Sequence, residues 1–195
     1  MARPIQFDRE TVLDSAMHTF WENGYAGTSI AALLEATGLK PGSLYAAFNS
    51  KEALFMASLD NYAQQSVKRT RRALNASESP LSDLRNYLYG LADKVASTSR
   101  TGHSCLLVNT ALELSTHNRP VRDRVNRHLG RMEALFRDSL ERARDCGELS
   151  RDKNPDALAA YIMTTIWGLR VLGGTSSDPG RAKAVVRQLV DLLEN

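Results

Sequence analysis

Hydrophobic residues recur at helical spacing along the whole chain, and no segment alternates as a half-buried strand would. The first such run predicts a helix that begins after an Asp8 N-cap, with Phe7 and Val12 placed as a hydrophobic staple, and ends near Gly24. Its apolar positions are Val12, Leu13, Ala16, Met17 and Phe20. The pattern therefore predicts an all-α protein.

Polar residues followed by proline mark several later helix starts, because proline is tolerated at the first helical position. These are Ser79-Pro80, Asn154-Pro155 and Asp178-Pro179, and Asn118 is a fourth candidate cap. Asn49 and Glu52 resemble a capping box for a long helix that reaches about Leu74. We expect about nine helices: four up to residue 74, then 80–99, 104–115, 119–145, 154–173 and 179–193.

The segment from Thr28 to Phe48 predicts two short helices joined by a tight turn. The first runs to about Thr37, and its inner side carries Ile30, Leu33, Leu34 and Ala36. Gly38 then supplies a left-handed residue that ends the helix, and Pro41 opens the next one. Such a pair is a helix-turn-helix, whose second helix is suited to the major groove of DNA.

This segment and its flanks resemble the TetR family of transcriptional regulators over roughly residues 7 to 55. The residues that carry the resemblance are Phe7, Ala16, Phe20, Gly24, Tyr25, Thr28, Ile30, Ala36, Gly38, Leu39, Gly42, Ser43, Leu44, Tyr45, Phe48, Lys51, Glu52 and Leu54. The resemblance implies a DNA-binding domain over residues 1–50 and a helical ligand-binding and dimerisation domain over residues 51–195. It also implies a homodimeric repressor that reads a palindromic operator in double-stranded DNA and is released by a small-molecule inducer.

Position in this fold assigns DNA contacts to six residues: Thr28, Lys40, Gly42, Ser43, Tyr45 and Lys51. Small side chains at Gly42 and Ser43 would let the recognition helix approach DNA closely, and the Tyr45 hydroxyl is suited to a phosphate. Thr28 is expected to cap the second helix and donate to a phosphate, and Lys51 would bind one at a helix N-terminus. The family frequently has Ser then Lys where Lys40 and Pro41 stand, and Ala47 replaces a common His.

The last two predicted helices are apolar around most of their circumference, which indicates burial on more than one side. The second side would be a partner subunit, as in the four-helix dimer interface of TetR-like proteins, or else a purely intramolecular core. A ligand pocket is expected among helices five to eight. Tyr161, Met163 and Trp167 are its candidate lining residues.

Cys105 lies near the start of the predicted sixth helix, after Gly102 and His103. The helix dipole and a charged His103 would favour a thiolate there. A Gly-Cys-Leu start to this helix is typical of TetR-type repressors that respond to electrophiles, oxidants or copper, whereas two residues separate Gly102 from Cys105 here. The alternatives are a sensor thiol, a small thiol packed beside Leu106, and a Cys/His metal site that includes His117.

Composition adds modest constraints. The net charge is +3, yet residues 1 to 55 hold only four basic residues, Arg3, Arg9, Lys40 and Lys51, against six acidic ones, so DNA binding would depend on local placement. With two cysteines and no signal-peptide or membrane-spanning pattern, we expect a cytoplasmic protein with reduced thiols and no membrane partner.

The sequence has no HExxH, glycine-rich phosphate loop or nucleophile elbow, so we expect no enzyme, cofactor or resident metal. The alternative to a regulator is a helical module that binds a small ligand or a protein without binding DNA.

Overall fold

A computed structural model describes residues 7–97, 105–114, 118–175 and 179–194. In these ranges it contains nine α-helices and no strand. The helices are α1 (Arg9–Gly27), α2 (Ile30–Thr37), α3 (Pro41–Phe48), α4 (Lys51–Ala73), α5 (Pro80–Ser97), α6 (Leu106–Leu114), α7 (Arg119–Asp145), α8 (Pro155–Thr175) and α9 (Pro179–Glu194). The all-helical architecture expected from the hydrophobic pattern is confirmed. No helix in these ranges has both the length and the apolar character needed to cross a membrane.

Most predicted helix starts match the capping geometry. Asp8 accepts the N–H groups of Glu10 and Thr11, Ser79 accepts that of Ser82, and Asn118 and Asn154 cap α7 and α8 in the same way. Polar side chains at these positions satisfy N–H groups that lack a partner inside the helix. The N-cap predicted at Asp178 lies outside the described residues. Arg3, His103 and His117 also lie outside them.

Two local predictions are wrong. The fourth helix is capped by Ser50, whose hydroxyl accepts the Ala53 N–H at 3.0 Å, whereas Asn49 ends α3 with a φ of 65°. Ala36 is exposed rather than turned inward, because the inner side of α2 is narrower than expected and centres on Leu33.

The chain forms two compact units, and the division falls inside α4 and α7. The first unit consists of Met1–Gln65 with Leu106–Asn126, and the second of Ser66–Cys105 with Arg127–Asn195. The first 15 of the 23 residues of α4, all of α6 and the start of α7 therefore belong with the three N-terminal helices. The functional division at residue 50 stays a prediction.

The first unit has a core built from α1 to α4. Its most deeply buried side chains are Ala16, Phe20, Leu33, Leu44 and Leu54. Asp14 of α1 accepts hydrogen bonds from the amides of Asn61 and Gln65 at 2.7 and 2.9 Å, which fixes α1 against α4. This core holds the short second and third helices in place, since eight-residue helices are marginal on their own.

The second unit has a larger core, to which α5, α7, α8 and α9 all contribute. Its fully buried side chains include Leu84, Leu88, Phe136, Leu140, Ile162 and Val186. The buried Asp83 carboxylate accepts the N–H groups of Ala76 and Ser77 and orders the turn before α5.

Candidate DNA-binding site

The turn between α2 and α3 has the geometry of a helix-turn-helix. Gly38 ends α2 in the left-handed conformation, with φ 67° and ψ 9°. Thr37 supports the turn, because its hydroxyl donates to the Leu33 carbonyl at 2.6 Å and accepts the Leu39 N–H at 3.4 Å. Glycine suits this position because it adopts positive φ without a Cβ penalty.

The third helix divides cleanly into a buried and an exposed side. Leu44 and Phe48 are 0% and 3% exposed and anchor the helix in the core. Gly42 and Ala46 are exposed on the opposite side, together with Tyr45, which is 46% exposed. This split leaves one side of α3 available to a partner.

Gly42 is not required by the fold. It has no positive φ, and a Cβ added there would meet no atom within 4 Å. Ser43 is half-buried on the same turn, and its backbone N–H donates to the Lys40 carbonyl at 2.9 Å. Lys40 is exposed and occupies the N-cap position, where its side chain makes no capping bond because an ammonium can donate but not accept.

Thr28 is not the N-cap of α2 that the sequence predicts. Its side chain is 2% exposed, and its hydroxyl donates to the carbonyl of Gly24 at 2.6 Å. The N-cap of α2 is instead Ser29, which is exposed and accepts the Ala32 N–H at 3.1 Å. The helix α1 kinks at Gly24, with φ 70° and ψ 171°, and the Thr28 hydroxyl satisfies the Gly24 carbonyl that the kink frees.

Two cations of this unit lie over aromatic rings. The Lys51 ammonium is 4.5 Å from the centre of the Tyr25 ring, and the Arg9 guanidinium is 4.7 Å from that of Phe48. Such contacts orient long flexible side chains. The sequence analysis identified Lys51 but missed Arg9 and Ser29. Ser29 could have been found, because a serine directly before an apolar helix start indicates an N-cap.

Glu113 of α6 holds the segment that links α1 to α2. Its carboxylate accepts the N–H of Tyr25 at 3.1 Å and that of Ala26 at 2.9 Å. Gly24 allows this approach, because a Cβ there would lie 3.1 Å from a Glu113 oxygen. Burial, and then the negative charge of Glu52, raises the pKa of the Tyr25 phenol above 10.0. Sequence reasoning missed Glu113 because its partners are 87 and 88 residues away.

The candidate ligand residues do not lie together. Met163 is 4% exposed and belongs to the core of the second unit, whereas Tyr161 and Trp167 are 50% and 36% exposed. Successive helical residues are about 100° apart, so side chains at 161 and 163 point to nearly opposite sides. These three side chains therefore do not share one side of α8, and their assignment to a ligand pocket stays a prediction.

Cys105 is a buried cysteine outside any disulfide, and it directly precedes the first residue of α6. Within the described ranges, no three His, Cys, Asp or Glu side chains are grouped so that they could hold a metal ion. The metal hypothesis that joins Cys105 to His103 and His117 lies partly outside those ranges.

Comparison with protein families agrees with this geometry. Residues 12–57 match the family model described as bacterial regulatory proteins, tetR family, and residues 80–189 match the tetracyclin repressor-like C-terminal domain. The first match contains α2, α3 and the turn between them, and the second spans more than half of the chain.

Individual relatives extend the match along most of the chain. The HTH-type transcriptional repressor ComR of Escherichia coli (strain K12) is 32% identical over 170 residues, which cover 87% of this chain and 80% of ComR. The repressor DhaR of Mycobacterium sp. (strain GP1) is 26% identical over 82% of this chain and 79% of its own length.

Among solved structures, a cysteine mutant of the TetR family regulator CifR, complexed with 26bp double-strand operator DNA, superimposes with a TM-score of 0.84. It is 34% identical, and the match covers 97% of this chain and 98% of that one. The helix-turn-helix geometry, the two family models and these relatives together establish that the chain belongs to the TetR family of DNA-binding transcriptional repressors.

Proposed function

We propose that the protein is a ligand-released repressor that binds a palindromic operator as a homodimer. The observation that carries the DNA part is the exposed side of α3, where Gly42 and Tyr45 lie opposite the buried Leu44 and Phe48. Lys40, Ser43 and Lys51 flank this side and would supply a cation, a hydroxyl and a second cation. Phosphate contacts of this kind position the helix, and base-edge contacts specify the sequence.

Thr28 is left out of the proposed contacts, since its hydroxyl is committed to the Gly24 carbonyl. Ser29 takes its place, because it is exposed at the N-terminus of α2, where backbone N–H groups favour a phosphate. Lys51 would approach the backbone from the start of α4, with Tyr25 holding its ammonium in position.

The homodimer is supported by the outer side of α8. From Ala157 to Val171 this side is exposed and carries no charged residue; it consists of Ala157, Ala160, Tyr161, Thr164, Trp167, Gly168 and Val171. On α9, Val185 and Leu192 are 37% and 48% exposed. Contiguous exposed apolar surface is typical of a protein interface. A twofold dimer through these helices would present two recognition helices to successive major grooves.

Release by a small-molecule inducer would operate through α6. This helix carries Glu113 in its last turn, and Glu113 holds the two N–H groups of the α1–α2 segment. An inducer that favours another position of α6 would break these bonds and alter the position of the helix-turn-helix. The coupling requires only that the inducer bind one of the two arrangements more tightly.

The inducer is either a non-covalent ligand or a reactive electrophile or oxidant that modifies Cys105. The position of Cys105, directly before α6, supports the second route, because a modified thiol there would be continuous with the helix that carries Glu113. Its burial supports the alternative of a packed structural thiol. Both routes share the same helix for transmission.

The DNA part is tested with operator fragments from the protein's own upstream region. Tyr45→Phe removes one donor to phosphate, so binding should weaken about equally on all operator variants, whereas Ser43→Ala should change the preference among them if Ser43 reads a base edge. Affinity should fall steeply with salt because phosphate neutralisation releases counterions. A flat salt dependence would refute DNA binding by this surface.

A further inference from the structure

Arg9, the first residue of α1, lies against the end of the recognition helix α3. Its guanidinium is 4.7 Å from the centre of the Phe48 ring, and Phe48 is the last residue of α3. That ring is fixed, because Phe48 is 3% exposed and belongs to the core of the first unit. The Phe7 ring, 6.4 Å from the Phe48 ring, holds the start of α1 at the same place. The fold thus brings the positive charge of Arg9 to the C-terminal end of α3.

The stability of α1 gives little reason for an arginine at this position. Arg9 is exposed at the N-terminus of the helix, where the positive end of the helix dipole disfavours a cation. An exposed cation–π contact contributes stabilisation of similar size. Because the two effects offset each other, replacement of Arg9 should change the stability of the fold little.

Two acidic residues flank Arg9 in the sequence, and within the described ranges neither forms an ion pair with it. The Asp8 carboxylate caps the helix instead, since it accepts the N–H groups of Glu10 at 3.2 Å and Thr11 at 3.4 Å and also the Thr11 hydroxyl. Glu10 is the next residue, about 100° further around the helix than Arg9. The charge of Arg9 is therefore not consumed by its neighbours in α1.

The length of α3 relates this charge to DNA. Lys40 is the N-cap of α3 and Phe48 its last residue, so Lys40 and Arg9 place a cation at each end of the helix. Eight helical residues span about 12 Å, which is close to the width of the major groove. A helix of this length in the groove brings its two ends near the two phosphate backbones that border the groove.

We propose that Arg9 binds a phosphate of the operator backbone beside the C-terminal end of α3, with Phe48 positioning its guanidinium. A guanidinium suits this task, because its planar fork donates two hydrogen bonds to one phosphate while its face stays against a ring. The inference rests on the proposed function, since it adds one phosphate contact in each subunit to the same DNA-binding surface. Arg9 would support binding to any operator sequence, because phosphates carry no base information.

The test measures how operator affinity depends on salt. Fluorescence anisotropy follows the binding of labelled operator from the protein's own upstream region to the full chain, between about 50 and 200 mM KCl. Each neutralised phosphate contributes about 0.9 to the slope of log affinity against log salt, so a dimer of Arg9→Gln should lose about 1.8 from the slope. Affinity should also fall about tenfold, equally on all operator variants. A wild-type slope in Arg9→Gln would overturn the proposal.

Two further variants separate the charge of Arg9 from its effect on the fold. Arg9→Lys keeps the charge, so its salt slope should return to the wild-type value, whereas its affinity recovers only in part. A slope as low as that of Arg9→Gln would refute neutralisation of a phosphate. Arg151→Gln, which removes an exposed arginine between α7 and α8, is the matched control and should behave as wild type. Thermal unfolding verifies that each variant is folded.

The positioning role of Phe48 is tested by a double-mutant cycle. Phe48→Leu keeps an apolar side chain in the core and removes the ring that orients the guanidinium. In this background Arg9→Gln should weaken operator binding by less than about threefold, because the two residues act together. An undiminished tenfold cost would show that Phe48 does not position Arg9.

The wild-type protein separates this inference from the proposed function. A flat wild-type salt dependence would refute DNA binding by the whole surface, and the Arg9 contact with it. A steep wild-type slope that Arg9→Gln leaves intact would refute the Arg9 contact alone.

Discussion

The carboxylate of Glu113, in the last turn of α6, accepts the backbone N–H of Tyr25 at 3.1 Å across 88 residues of sequence. The same carboxylate accepts the N–H of Ala26 at 2.9 Å. The side chain of Tyr25 in turn holds the Lys51 ammonium over its ring. Glu113 thus fixes the segment before the helix-turn-helix. It also contacts Tyr25, the residue that orients Lys51, which we propose binds a phosphate.

Removing this carboxylate should weaken operator binding. Glu113→Ala leaves two N–H groups without their acceptor, which costs about 1 kcal/mol for each bond, and the α1–α2 segment loses its fixed position. Glu113→Gln keeps one amide acceptor and should show an intermediate effect. Urea unfolding measures the free energy of unfolding, and fluorescence anisotropy with labelled operator measures the affinity for DNA. Glu141→Ala, an exposed change on α7, is the control, and operator affinity equal to wild type in Glu113→Ala would remove α6 from the coupling.

Gly42→Ala should separate stability from DNA binding. The added methyl has free space in the protein, and alanine favours helix, so the free energy of unfolding should be unchanged or rise by up to about 1 kcal/mol. Operator affinity should fall about tenfold, because the methyl prevents close approach of the helix to DNA. Gly130→Ala in α7, where a Cβ also meets nothing within 4 Å, is the matched control. Undiminished operator binding by Gly42→Ala would mean that this turn does not approach DNA.

Trp167→Asp should dissociate the proposed dimer. Trp167 is 36% exposed on the uncharged outer side of α8, and a carboxylate buried there against a partner would lose its hydration. The dissociation constant should rise at least about 100-fold, as for a central aromatic interface residue. Sedimentation velocity measures the change. Asn86→Asp places the same charge on the exposed surface of α5 and should remain dimeric, and a stable Trp167→Asp dimer would exclude this surface from the interface.

Cys105→Ser distinguishes the two routes of induction. If the thiol is the sensor, the variant should bind operator normally and no longer release it with quinones or hypochlorite, since serine is not a comparable nucleophile. Gel shifts with and without the oxidant measure release. Cys146→Ser changes an exposed thiol and should respond as the wild type does. Release by oxidant in Cys105→Ser would leave the non-covalent route.

The raised pKa of Tyr25 predicts a specific alkaline response. Because the pKa of the phenol is higher in the folded protein than the ordinary 10.0, the associated stability is present below pH 10.0 and is lost as the pH rises through the folded-state pKa. Urea unfolding between about pH 9 and 11.5 should show a decline that is smaller in Tyr25→Phe than in wild type. Tyr161→Phe, which changes an exposed phenol, should follow wild type, and an identical decline in all three proteins would contradict the prediction.

The sequence by itself determined the local elements. Caps at Asp8, Ser79, Asn118 and Asn154, proline at helix starts and glycine at the α2–α3 turn identified most helix ends, because these effects act within one turn of the chain. The exposed side of α3 also followed from the spacing of Leu44 and Phe48. Local periodicity predicts such features since one buried face suffices to orient a short helix.

Only the tertiary structure decided which side chains meet. The kink at Gly24 frees the Gly24 carbonyl, and the Thr28 hydroxyl donates to it. Ser29 therefore caps α2 in place of Thr28. The pairing of Glu113 with the α1–α2 segment depends on how α6 packs against α1. Likewise, Met163 is buried because its side of α8 packs into the core of the second unit. These contacts join residues that are far apart in sequence or depend on helix rotation, and neither is encoded in a local pattern.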